Sequence, residues 1–182
     1  MKIIPCALRT ATAICFAFLL SSASCSLFDK VDDVNFDAKL QLEFLVNETA
    51  VNANPVSYTE TKTLDATQNS DVAKYKDKIK EFRVNKISYV ISGYAAPGAV
   101  TFTNGAITVA SSGKTIASAP SVDLQSTIET DMTTDTAGIN ELAQGLKDDQ
   151  SVTVNLGGTF SSTPVAFKVT VYFDTTITAE VL

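Results

Sequence analysis

The stretch FDAKLQLEFLV, running from Phe36 to Val46, decides the fold class. Phe36, Ala38, Leu40, Leu42, Phe44 and Val46 alternate with Asp37, Lys39, Gln41 and Glu43. Successive side chains of an extended backbone point to opposite faces, so a period of two makes one apolar and one polar face. The stretch therefore reads as a half-buried β-strand. The far end of the chain repeats the pattern. Val165, Phe167, Val169, Val171, Phe173, Ile177, Ala179 and Val181 all take odd positions, with mostly polar residues between them. At about 3.3 Å per residue, an unbroken strand of that length is far longer than the usual 3–10 residues. A bend or bulge is expected near Asp174-Thr175-Thr176.

Working inward, Val152, Val154, Leu156 and Phe160 alternate in the same way, and Gly157-Gly158 within them predicts a bulge. Ser161-Ser162-Thr163-Pro164 is expected to join this strand to the last one as a hairpin. Val56–Asp65 and residues 84–94 add further strands. Asn104-Gly105, between Val100-Thr101-Phe102 and Ile107-Thr108-Val109, predicts a two-residue hairpin. Ser111-Ser112-Gly113 predicts another turn, and residues 115–127 one or two more strands. Helical spacing of Val72, Tyr75, Ile79 and Phe82 predicts a helix over Ser70–Phe82 with Ser70 as its N-cap. Ile139, Leu142, Ala143 and Leu146 predict a second over Thr136–Lys147. About eight strands with two short helices imply a mainly β chain, an antiparallel β-sandwich or flattened barrel forming a single domain over residues 35–182.

The first residues follow another logic. Lys2 and Arg9 precede an apolar run, Ala11–Leu20, of 10 residues. A membrane-spanning helix needs about 20, so residues 1–24 read as an export signal. The residues after that run, Ser22-Ala23-Ser24-Cys25, resemble the lipobox of bacterial lipoprotein precursors. The resemblance implies a diacylglyceryl group on the Cys25 thiol, cleavage just before it, and a lipidated polar tether over residues 25–34. It also implies a lipid-anchored place in the cell envelope, and Ser26, where an aspartate does not stand, implies the outer membrane. The expected partners are the membrane, through that lipid, and other envelope proteins. Ser22 departs from the pattern, which usually has an aliphatic residue there. Ser22-x-Ser24 also fits the small-x-small site of the general signal peptidase, which would leave Cys25 unmodified.

The cysteine count favours the lipid. The three cysteines are Cys6, Cys15 and Cys25. A chain starting at Cys25 can make no internal disulfide, and a lone exposed thiol is a liability in an oxidising compartment. Removing residues 1–24 takes Lys+Arg from 14 to 12 and leaves Asp+Glu at 20, so 158 residues carry a net charge of −8. That balance argues against nucleic acid, which needs a basic face. It gives no electrostatic pull toward anionic headgroups either.

Histidine is absent from the sequence. Ser-His-Asp and Cys-His catalysis go with it, as do the common catalytic zinc sites. Ser111-x-x-Lys114 spells a Ser/Lys motif, but enzymes that use it place it on a helix, and here Gly113 predicts a turn. Asp32-Asp33-x-Asn35-x-Asp37 has the look of a calcium loop, yet Ala38 and Phe44 stand where an EF-hand needs glycine and an acid. Glu129 to Asp135 reads as an oxygen-rich connection without charge compensation, and Asp148-Asp149 as a polar turn. Tyr172 and Tyr94 are the candidate stacking platforms for a sugar, with rim packing the commoner role for such residues. No catalytic residue, cofactor or metal ligand is assigned, and the chain is not expected to be an enzyme. The expected function is a structural, assembly or binding module. The alternatives are a carrier of small apolar ligands, needing an apolar pocket of about 300 Å³ or more, and a hydrolase with carboxylates about 5–10 Å apart across a cleft.

Overall fold

The two alternating stretches that open and close the domain pair with each other. A computed structural model of the protein describes residues 33–181. In it β1 (Asp33–Asn52) and β9 (Thr163–Glu180) run antiparallel in one register, from Asp33 opposite Glu180 to Glu48 opposite Val165. Leu40 thus lies beside Phe173, Leu42 beside Val171 and Phe44 beside Val169. All six are buried, because one face of each strand is apolar at every second position. β3 (Ile79–Ala95) pairs with the other side of β9, and β6 (Thr130–Asp131) completes the sheet in the order β1-β9-β3-β6. A second sheet has the order β2-β8-β4-β5-β7, from β2 (Val56–Asp65), β4 (Phe102–Val109), β5 (Thr115–Val122), β7 (Thr133–Thr134) and β8 (Ser151–Phe160). Every strand pair is antiparallel. The fold is a mainly β sandwich with two short helices.

Between the sheets Phe160 is fully buried, with the rings of Phe102, Tyr58 and Phe167 at 4.7, 5.4 and 5.9 Å between centroids. α2 (Thr136–Asp149) packs on β3 of the first sheet and on β4, β5 and β8 of the second. Leu142 and Leu146, one turn apart, supply its buried stripe. Asp135 caps it by accepting from the backbone N–H of Ala137 at 2.9 Å and Gly138 at 3.3 Å.

Several expectations are corrected. Asp33 and Val34, read as tether, already belong to β1. The break expected in β9 near Asp174 is absent from its pairing with β1. Instead β3 carries the irregularities, one of them between Val84 and Lys86, opposite Thr175 and Asp174. An extra residue in β9 would disrupt ladders on both its sides, whereas here only the β3 ladder is disturbed. Residues 161–164 make no hairpin, because β8 lies in the second sheet and β9 in the first. The connection is an arch between the sheets, held by Ser161 N donating to Thr101 O at 2.9 Å and Thr163 Oγ1 to Ala50 O at 2.6 Å.

Asn104-Gly105 makes no hairpin either. β4 runs straight through both residues, and its register against β8 shifts by one between Thr103 and Ala106. Asn104 takes the left-handed backbone (φ 55°) that a tight turn would also have needed. The bulge expected at Gly157-Gly158 therefore lies on the neighbouring strand, and β8 pairs with β2 without interruption. Gly158 is needed for another reason: a side chain there would run into the Phe102 ring. The first helix is short. α1 spans Ser70–Tyr75, its N-cap is Asn69, and after a 3-10 turn over Lys76–Lys78 the chain enters β3. Ile79 and Phe82, which fit a helical stripe, are strand residues because pairing with β9 prevails over their local spacing.

Candidate functional site

Between the sheets the described residues enclose a cavity of about 30 Å³, lined by apolar or aromatic side chains including Val46, Tyr58, Tyr89, Phe102, Ile107 and Leu156. At the end of the sandwich where β1 finishes, two shallow open clefts adjoin. One of about 410 Å³ is bordered by Glu48, Ala95, Pro97 and Pro164, and one of about 320 Å³ by Val51, Gly98 and the same two prolines. A third cleft, of about 520 Å³, opens on the outer face of the first sheet between Asp37, Lys39, Asn85 and Asp174.

That outer face carries the densest polar arrangement. Ser88 is fully buried beneath Glu129 and donates to its Oε1 at 2.6 Å. Lys39 Nζ lies 3.2 Å from Glu129 Oε2 and 4.2 Å from the centre of the Tyr172 ring. Lys86 Nζ holds Asp131 at 2.8 Å, which raises the lysine above its ordinary value. The acids read from sequence as uncompensated are thus compensated from β1 and β3, strands about 40 to 90 residues away in the chain. Asp135, the last of them, is occupied in capping α2.

The Ser88 hydroxyl, and after it Lys39, hold the Glu129 carboxyl below its ordinary value of 4.5. Lys114 does the same for Glu141, and the Thr67 hydroxyl for Asp65. A carboxyl with a depressed folded-state value contributes stability above its ordinary value, and that contribution is lost as pH falls through the folded-state value. The urea midpoint is therefore expected to hold steady down to the ordinary carboxylate value of 4.5 and to fall below it. Glu129→Gln should flatten part of that fall. An unchanged acid profile in this variant counts against the contribution of the Ser88–Glu129–Lys39 cluster.

The residues singled out from sequence take quieter places. Asp33, Asn35 and Asp37 sit at alternate positions of β1 and accept from Lys80 at 2.7 Å, Thr178 at 2.7 Å and Thr176 at 2.8 Å. They form a row along a strand, which no calcium loop could share. Ser111 and Lys114 flank the turn at Gly113 (φ 73°), and Lys114 Nζ is held by Glu141 Oε2 of α2 at 2.9 Å. Asp148 and Asp149 close α2, with Asp148 accepting from Gln144 at 2.7 Å. Tyr94 is tied into its own loop, donating to Gly98 O and accepting from Val100 N, each at 3.2 Å. Tyr172 lies under Lys39. Among the described residues no three His, Cys, Asp or Glu side chains come together as a metal site. Cys25, the lipobox-like residues, residues 1–24 read as an export signal, the tether up to residue 32 and Asp32 of the calcium-loop candidate lie outside the described residues.

One feature escaped the sequence reading. On β2, Glu60 and Lys62 share a face with Tyr58 and Leu64 and are only about a quarter to a third exposed. Glu60 Oε2 accepts from the Tyr58 hydroxyl at 2.6 Å, and Lys62 Nζ lies 3.4 Å from Glu60 Oε1. Burial, and then the bond to Glu60, push the Tyr58 hydroxyl well above its ordinary value. The signal was present in TETKT, where two charges occupy the face that Val56 and Leu64 bury.

No family model matches the chain, and no curated protein matches it. A solved chain of desmodium yellow mottle tymovirus is similar to it at 10% identity and a TM-score of 0.41, over 100% of this chain and 96% of that one. At that TM-score the likeness carries no argument about function.

Proposed function

We propose that the protein is a lipid-anchored component of a bacterial cell envelope, held in the outer membrane through Cys25, whose β-sandwich is a non-catalytic structural, assembly or binding module. The observation that carries the module reading is the interior cavity of about 30 Å³. A carrier of small apolar ligands needs roughly ten times that volume. Lys39, Lys80, Lys86 and Lys168 of the outer face are each held by a carboxylate, which suits a folded scaffold better than a reaction site. The anchor follows from the export signal, the lipobox-like Ser22-Ala23-Ser24-Cys25 and the lack of any later cysteine. From Cys25 to Asp33 the chain can reach at most about 29 Å, so the domain stays close to the surface that holds the lipid.

Intact-mass measurement of the protein extracted from membranes tests the anchor. The expected mass is that of residues 25–182 plus an acylated glyceryl group. Cys25→Ser should abolish the addition and release the protein from the membrane fraction. A chain beginning before Cys25, or starting there with an unmodified thiol, overturns the lipoprotein reading.

A further inference from the structure

A sandwich of two open sheets has four edges, and natural proteins protect such edges against pairing with other chains. Three of the four are protected here. β6 and β7 are two residues long each and cover only two residues of β3 and of β5, but β3 carries three register irregularities against β9 and β5 contains Pro120. The edge formed by β2 turns Glu60 and Lys62 inward, so a strand added there would have to cover a charged pair. The fourth edge, β1, is not short and has no bulge, proline or inward charge over Phe36–Val46, and only the charges of its exposed face, Asp37, Lys39 and Glu43, mark it. It is 20 residues long, contains no proline, and keeps an unbroken register against β9 from Asp33 to Glu48. Its inward positions Phe36, Ala38, Leu40, Leu42, Phe44 and Val46 are all apolar. Among the described residues no strand pairs with its outer edge.

We propose that β1 pairs antiparallel with β1 of a second copy of this chain, about a two-fold axis at Gln41, joining the two first sheets into one. The charges on the polar row of β1 select this occupant and this register. Centred on Gln41, Lys39 stands opposite Glu43 of the second copy, twice by symmetry, and no like charges face each other. Centring on Lys39 or on Glu43 would set that residue against itself. Centring on Leu40 opposes Asp37 to Glu43, and on Ala38 opposes Asp33 to Glu43. Centring on Leu42 avoids like charges but forms no ion pair. In the Gln41 register the existing pairs Lys39–Glu129 and Lys168–Glu43 become parts of one row across the joined sheet. Leu45, 66% exposed on the same face, lies two positions beyond Glu43 and is partly covered by the neighbouring strand. The two Asp33 residues leave from opposite ends of the joined sheet, so chains anchored in one membrane would pair with β1 lying along its plane.

The test uses the full mature protein in solution or detergent. Sedimentation is expected to report a dimer at tens of micromolar, the range of a contact worth roughly 6–7 kcal/mol. Under mild oxidation Gln41→Cys should cross-link to a dimer at least about tenfold faster than Asn47→Cys, whose copies lie about 40 Å apart in this register. The parent chain, with its native cysteines only, sets the background. Lys39→Glu should shift the protein to monomer, and adding Glu43→Lys should restore the dimer. A monomer at about 100 μM, or equal cross-linking at positions 41 and 47, overturns the proposal. So does a double variant that stays monomeric while its circular dichroism remains native.

Discussion

Phe160→Ala is expected to lower the free energy of unfolding by about 4 kcal/mol, read from urea denaturation monitored by circular dichroism. Phe160 is fully buried at the end of β8 and touches aromatic rings from both sheets, Phe102 and Tyr58 from its own and Phe167 from the facing one. Truncation removes the ring's transfer free energy and leaves a hole beside an existing cavity of about 30 Å³. The three neighbouring rings sit on paired strands, so the site can collapse only in part, which places the cost near the middle of the range for such truncations. A domain of this size has about 5–15 kcal/mol to lose, so the variant should unfold at a much lower urea concentration. Leu45→Ala is the matched control. Leu45 is 66% exposed, and its replacement should change stability by less than about 0.5 kcal/mol. A loss below about 2 kcal/mol for Phe160→Ala would mean that the two sheets can close over the hole, contrary to the packing described.

Gly138→Ala should destabilise the protein by about 2–3 kcal/mol, although the same change on an exposed helix stabilises by about 1 kcal/mol. Gly138 lies in the first turn of α2, where the helix rests directly on the backbone of β5. A Cβ built there overlaps the carbonyl of Thr115 and crowds the Cα of Ile116. Those atoms belong to a paired strand and cannot swing aside as a flexible side chain could, so the helix must lift. Lifting it also strains the Asp135 cap and the bond from Asp135 N to Ile116 O, 2.9 Å long. Thermal melts of the variant and the parent decide the sign. A raised melting temperature would show that α2 can slide over β5 at little cost.

Much of the architecture was legible because the side-chain period of a strand is two. The alternation in Phe36–Val46 and Val165–Val181 named β1, β9 and the residues that fill the core. The stripe of Leu142 and Leu146 and the turn at Gly113 were also within reach of local chemistry, whereas Asp135 was read as part of a polar connection and caps α2. The polar arrangement was not. Glu129 meets Ser88 and Lys39 only because β6 lies against β3 and β1 lies two strands away in the same sheet. Local signals also misplaced connections. Asn104-Gly105 supplies a left-handed residue, which a hairpin and a bulge use equally well.

The strand content follows from composition, spacing and short-range pattern, and the proposed roles of residues 1–24 and of Cys25 rest on the same local signals. The tertiary structure alone decided which sheet each strand joins, since a period of two says which side chains share a face and nothing about which strand lies alongside. That is why Ser161–Pro164 became an arch between sheets, why the irregularity expected in β9 lies in β3, and why β1 stands at an edge of its sheet. Each depends on strand pairing across most of the chain, where partners far apart in sequence compete for the same backbone groups.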